Sequence, residues 1–256
     1  MITLLSPSKT LNFDRNYTIT KYTKPIYSKQ AFKLAKYLAC YSEDDLGKLM
    51  SISPALAKIN VDRYKTFNID HNLTNAKQAI FAYKGDVYNM MDVERYSEDD
   101  LDFAQKHLII ISGLYGVLRP LDIIQPYRLE MSTSLHIGNN KNLYEFWGNT
   151  ITDFINSCSI DTIINLMSQE YFKSVNQKFL HDKLKVIHIT FKELHKGSYK
   201  TIGLLAKRAR GMMANFIIKN HLNNYNDLKN FNEANYQFML HLSSAQEFVF
   251  IREKVN

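Results

Sequence analysis

Leu108-Ile109-Ile110-Ile111-Ser112-Gly113-Leu114-Tyr115-Gly116-Val117-Leu118-Arg119-Pro120-Leu121-Asp122 sets an aliphatic run against a stretch of Gly, Tyr and Pro. A short apolar run bounded by turn residues reads as a buried strand. The Gly-, Tyr- and Pro-rich stretch after it reads as a long loop to about Pro126, running into Pro126-Tyr127-Arg128-Leu129-Glu130-Met131. Loops of this length in compact domains usually carry function.

The same grammar repeats outward from this segment. Residues 2–5 read as a short buried strand before Ser6-Pro7-Ser8-Lys9-Thr10. Residues 79–83 read as a strand before the turn Lys84-Gly85-Asp86, and 162–166 as a strand before a short helix at 168–175 that Ser168 would cap. Helical spacing marks 28–39, 43–50, 54–65, 144–156 and 204–222, and a Ser97–Asp100 capping box opens a helix at 97–106. Residues 185–191 and 200–202 read as strands joined at Lys196-Gly197-Ser198, and strands at 236–242 and 247–252 close the chain. Strands alternating with helices and then giving way to hairpins predict an α/β fold, a mixed sheet with packed helices. No linker or composition break divides residues 1–256, so one compact domain is expected, with a helix-hairpin-helix-like insertion at 43–65.

Composition narrows the class. Hydrophobic residues make up 45% of the 256 and charged residues 22%, which supports a sizeable core and argues against disorder. The 16 Tyr and 15 Phe make that core strongly aromatic. No apolar stretch approaches the roughly 18 residues of a membrane span, and no leader pattern precedes Ser6, so the expected location is the cytoplasm with no membrane partner. A net charge of +7 permits a polyanionic partner without requiring one. Cys40 and Cys158 form no CxxC, and two reduced, buried thiols are expected rather than a redox sensor. His181, His188 and His195 share no ligand face and no HExxH occurs, so neither a metal nor a cofactor is expected.

Six segments carry candidate chemistry. The Ser6–Thr10 loop can hold an anion through hydroxyl, ammonium and backbone N–H groups, although it lacks the glycines of a Walker loop. Residues 81–88, with Asp86, and 165–172, with Ser168 and Glu170, are further strand ends. In open α/β sheets ligands bind beyond the carboxyl ends of strands. In the central stretch Arg119 and Arg128 can clamp a carboxylate or phosphate, and Asp122 and Glu130 can orient them or move a proton. The plain alternative is a structural loop tied down by Arg–carboxylate pairs. Lys207, Arg208 and Arg210 lie off the apolar face of the long helix, as a solvated basic surface or a phosphate contact. Residues 43–65 read as two helices around Ser51-Ile52-Ser53, with Ser53 capping and Pro54 at the first helical position. That is either an ordinary helical hairpin or one that meets DNA backbone, with Ser51 and Ser53 where glycines usually stand.

Taken in order, Ser6–Thr10, Phe81–Tyr88, Ser112–Asp122, Pro126–Met131, Leu143–Trp147, Asn165–Val175 and Ala206–Gly211 closely resemble the YaaA family of bacterial peroxide-stress proteins, over essentially the whole chain. Ser8, Met167 and Gln246-Glu247 depart from the family pattern and remove none of the charged residues of the clusters. The resemblance implies a cytosolic protein that limits oxidative damage when peroxide rises, linked to low free iron and DNA binding. It also implies a compact α/β fold, a helix-hairpin-helix near residues 43–65 and a positively charged cleft to which no reaction is attached.

Two functions are expected. The first is a peroxide-stress protein that binds DNA structure-selectively and without sequence preference, because phosphate contacts position without specifying. Its DNA contacts would be Lys48, Ser51, Ser53, Lys58, Arg63, Arg128, Lys207, Arg208 and Arg210. The second is an enzyme acting on a small anionic, nucleobase- or nucleotide-like ligand in the basic cleft, with Lys9, Asp86, Arg119, Glu130 and Glu170 as catalytic residues. An enclosed site favours the second and an open groove the first.

Overall fold

The computed structural model describes residues 1–14, 19–195 and 197–253; Lys196, expected in a loop between strands, lies outside the described residues. In chain order the elements are β1 (Ile2–Leu5), β2 (Thr10–Leu11), α1 (Ser28–Leu38), α2 (Glu43–Met50), α3 (Pro54–Thr66), β3 (Lys77–Gln78), α4 (Ala79–Ala82) and β4 (Tyr83–Lys84). Next come α5 (Asp86–Met91), α6 (Glu98–His107), β5 (Leu108–Ser112), β6 (Gly116–Leu118), β7 (Ile123–Ile124), α7 (Leu143–Trp147), α8 (Thr150–Ser157) and β8 (Thr162–Asn165). The last are α9 (Gln169–Phe172), β9 (Lys185–His195), β10 (Ser198–Lys200), α10 (Gly203–Lys219), β11 (Gln237–Phe238) and β12 (Glu247–Arg252).

The main sheet runs β11-β12-β9-β8-β1-β5-β6, with β10 hairpinned onto β9. β12, β9, β8, β1 and β5 are parallel, so their carboxyl ends open on one side; β6 and β11 run antiparallel at the edges. This is the expected mixed α/β sheet. β1 and β5 are short apolar runs and are buried throughout, because a strand flanked on both sides and covered on both faces has no solvent-facing position. Capping decides where helices start: the Ser97–Asp100 box opens α6, and Ser42 and Ser53 accept from Asp45 N and Leu56 N to open α2 and α3. Among the described residues no helix is long and apolar enough to cross a membrane.

Several local expectations are corrected. Residues 79–83 form α4 and the start of β4 rather than a strand: the ladder of β3 with β7 stops at Gln78, and Ala79 N and Ile80 N, at the start of α4, bond to the carbonyls of Asp122 and Pro120. The long loop expected after β5 turns back at once as β6, and Leu114, Tyr115, Pro120 and Leu121 are buried. The single helix expected at 144–156 breaks at Gly148, whose φ of 47° and ψ of −122° suit glycine alone. The strand expected at 236–242 is two residues followed by a 3-10 turn. Cys40 is exposed and Cys158 half-buried, so the paired burial expected for the thiols fails.

The folded-back loop is held by Asp122, which is 4% exposed and accepts from Thr23 Oγ1 at 2.6 Å and from Arg119 N at 2.7 Å. Burial pushes its carboxyl up to about 6, against the pull of those two donors. The folded state therefore binds the Asp122 proton more tightly than the unfolded chain, and the contribution is present at low pH. It is lost as pH rises through about 6, a fall of about 3 kcal/mol for this group over the window above its unfolded value. Asp122→Asn, with its amide oxygen toward Arg119 N and its NH2 toward Thr23, is expected to flatten that part of the profile. Urea midpoints of parent and variant at pH 4 and pH 7 check this; an unchanged slope would show that Asp122 is ionised throughout.

Candidate functional site

The chain leaves β1 through Ser6-Pro7-Ser8-Lys9 and leaves β8 through Leu166 and Ser168, both at the carboxyl edge of the sheet. Main-chain and hydroxyl contacts draw these ends together. Ser6 Oγ accepts from Ser168 N at 3.0 Å, Ser6 O accepts from Tyr88 Oη at 2.9 Å, and Ser8 Oγ donates to Lys84 O. Ser168 takes the N-cap position of α9 but its hydroxyl makes no capping bond, so capping does not explain it. Residues 127–130 close one wall and α10 another, with Gly211 letting α10 approach α5: a Cβ there would stand 2.0 Å from Val87 O. The cleft between these walls measures about 410 Å³. A larger, shallower hollow of about 710 Å³ lies at the opposite end of the strands, lined by Met1, Asp161, His181, Asp182 and Lys183 and by no arginine.

Within the cleft, Glu130 is bridged on both oxygens, to Lys9 Nζ at 2.5 Å and to Arg128 Nη2 at 3.2 Å. Glu170 Oε1 accepts from Ser132 N at 3.1 Å and Ser132 Oγ at 2.9 Å. Asp86 pairs with Arg208 Nε at 3.4 Å. At the floor, Tyr127 Oη lies 2.7 Å from Ser112 Oγ and 2.6 Å from Tyr83 Oη. Ser112 Oγ already accepts from Leu114 N and Tyr115 N, which leaves its own proton for Tyr127. Burial pushes the Tyr127 phenol up to about 12, and the Ser112 and Tyr83 contacts oppose that rise.

Two cations are incompletely satisfied. Arg210 Nε and Arg128 Nε are buried with no hydrogen-bond partner, and burial lowers the Arg210 pKa. Such an orphaned donor costs about 1–3 kcal/mol, more for a charged group.

The structure thus brings together Lys9, Asp86, Arg128, Glu130, Glu170, Lys207 and Arg210 around one cavity, with Arg208 beside it through Asp86. Arg119 is not among them. Leu118 pairs with Ile110, which carries Arg119 back along the sheet, away from the cleft; its guanidinium lies 5.7 Å from the Phe154 ring centroid. Of the central stretch, residues 127–130 line the cavity, and Ser112 reaches it only through the Tyr127 hydroxyl. Lys48, Ser51, Ser53, Lys58 and Arg63 stand on the α2–α3 hairpin, outside the cavity. Lys48 and Lys58 are exposed, Ser51 takes the left-handed closing position with φ 50°, and Ser53 caps α3. Arg63 is partly buried and donates to Asn60 Oδ1 at 3.3 Å. Sequence reasoning missed Ser132, which nothing in its local pattern marks; Tyr88 and Tyr127 fell inside candidate segments but were assigned no role there. Among the described residues no group of three or more His, Cys, Asp or Glu is placed to hold a metal.

Fold and site together define an α/β cleft protein whose strand ends close around a charged, ligand-sized cavity. The family model described as "Peroxide stress protein YaaA" matches residues 1–241. A UPF0246 protein of Acaryochloris marina is 49% identical over 98% of this chain and 100% of its own length. UPF0246 proteins of Bordetella petrii and a Polaromonas species are 44% and 42% identical, each over 99% of this chain and 100% and 99% of their own. The chain belongs to the peroxide stress protein YaaA family.

Proposed function

We propose that this protein serves peroxide resistance by binding a small anionic, nucleotide-like ligand in the cleft and acting on it by acid–base chemistry. The observation that carries the reading is the convergence of charge in one concave cleft: about 410 Å³, lined by Lys9, Arg128, Lys207 and Arg210 together with Glu130 and Glu170. Ligand sites of this kind occupy roughly 300–1,000 Å³. Arg128 and Lys9 hold Glu130 in place, Glu170 is oriented by Ser132, and Tyr127 offers a hydroxyl tied into the Ser112–Tyr83 network.

A second reading is sequence-independent DNA binding that limits iron-driven damage. One contact favours it: Tyr64 on α3 donates to Arg128 O, which fastens the hairpin, with exposed Lys48 and Lys58, beside the cleft wall. A duplex would lie across this side, since the cavity is too small to admit it.

One comparison separates the two. Arg128→Gln with Glu130→Gln removes cleft charge, and Lys48→Ala with Lys58→Ala removes exposed hairpin charge at less than about 0.5 kcal/mol of stability. In a strain lacking the protein, the folded cleft variant is expected to survive hydrogen peroxide no better than the empty strain, and the hairpin variant as well as the parent. Full protection by the folded cleft variant sinks the cleft reading. Loss of both DNA affinity and protection in the hairpin variant establishes the second instead.

A further inference from the structure

We infer that Arg210, with Lys207 one turn before it on α10, forms a subsite for a phosphate monoester, so that the ligand of the cleft carries a terminal phosphate. The inference rests on the cleft being a ligand site and specifies what that ligand must present.

The charge pattern carries it. Each carboxylate lining the cavity is already engaged: Asp86 by Arg208, Glu130 by Lys9 and Arg128, Glu170 by Ser132. Lys207 and Arg210 line the same cavity and, among the described residues, have no carboxylate partner. Two adjacent uncompensated cations match a dianion. A phosphate monoester carries about −1.5 to −2 near neutral pH, whereas a backbone phosphodiester carries a single charge.

Position supports the same choice. Arg210 Nε is buried and bonds nothing, and Arg128 Nε across the cleft is in the same condition. A buried guanidinium donor left without a partner is unfavourable in the free protein. What holds it there is packing: Gly211, the next residue, presses α10 onto Val87 and fixes the backbone of Arg210 against that wall. Its planar set of N–H donors suits phosphate oxygens, and Lys207, exposed at the mouth, adds a mobile point charge.

Isothermal titration of the full chain with adenosine monophosphate, adenosine and inorganic phosphate tests the subsite. The parent is expected to bind the monophosphate at least about tenfold more tightly than adenosine, and sulfate, a dianion of the same shape, to compete with it. Arg210→Met is expected to weaken monophosphate binding about 100-fold, Arg210→Lys by less, while Lys33→Met, exposed on α1 and outside the cleft, changes nothing. The Arg210→Met variant should also melt at or above the parent temperature, because a buried, unpartnered donor has gone. Equal affinity for adenosine and its monophosphate, undiminished binding by Arg210→Met, or no binding of either phosphate compound overturns the subsite. The sulfate competition reads the parent alone and so stands whether or not a variant folds. The peroxide-survival comparison of the cleft variant decides the cleft's role separately, so each claim can fail without the other.

Discussion

Gly211→Ala is expected to abolish the folded protein or lower its stability by about 3 kcal/mol or more, the upper end of what overpacking costs. On an exposed helix the same change would stabilise by about 1 kcal/mol through helix propensity. Here the added methyl would stand 2.0 Å from Val87 O and 2.9 Å from Met90 Cβ. The first of these is backbone in α5 and cannot rotate aside, so the two helices must separate. Against a total stability of roughly 5–15 kcal/mol, that decides whether the protein persists. Whatever folds should bind cleft ligands poorly, because α5 carries Asp86 and α10 carries Lys207 and Arg210. Urea unfolding followed by circular dichroism checks the first part, and a variant more stable than the parent would show that α5 and α10 do not touch at this point.

Trp147→Ala should cost about 3–5 kcal/mol, the range for emptying a large aromatic site in a core. Trp147 is 1% exposed, its indole N–H donates to Gly113 O at 3.0 Å, and its ring fills the space where a Gly116 Cβ would stand at 2.6 Å. The effect reaches the cleft through Gly113, whose absent Cβ would lie 2.5 Å from Leu129 O, between Arg128 and Glu130. Trp147→Phe keeps part of the ring and loses the hydrogen bond, and should cost about 1–3 kcal/mol. As the chain has one Trp, its fluorescence reports this junction in the parent, while both variants must be followed by circular dichroism. A stability loss in Trp147→Ala of under about 1 kcal/mol would show that the 113–116 turn is held by β5–β6 pairing alone.

How far each feature was legible depends on the range of the contact that makes it. Ser97 and Asp100 announce a helix start because both partners of the capping box lie within four residues. Residues 79–82 carry an apolar run that fits strand or helix, and only the distant carbonyls of Pro120 and Asp122 choose helix. Arg119 illustrates the same limit at the site. Its motif is specific, yet a three-residue antiparallel return in β6 moves it off the strand end that its neighbours share.

By itself the sequence determined the alternation of short buried strands and capped helices, the family, and a set of charged residues at strand ends. These are read from periodicity and from neighbours a few residues apart. The tertiary structure decided which of those charges meet and which are left unpaired. Glu130 lies between Lys9 and Arg128, Asp86 is taken by Arg208 from a helix over 100 positions away, and Arg210 keeps a buried donor with no partner. Pairing and desolvation depend on distance in space, which long-range packing such as that of Gly211 on Val87 sets and no local pattern encodes.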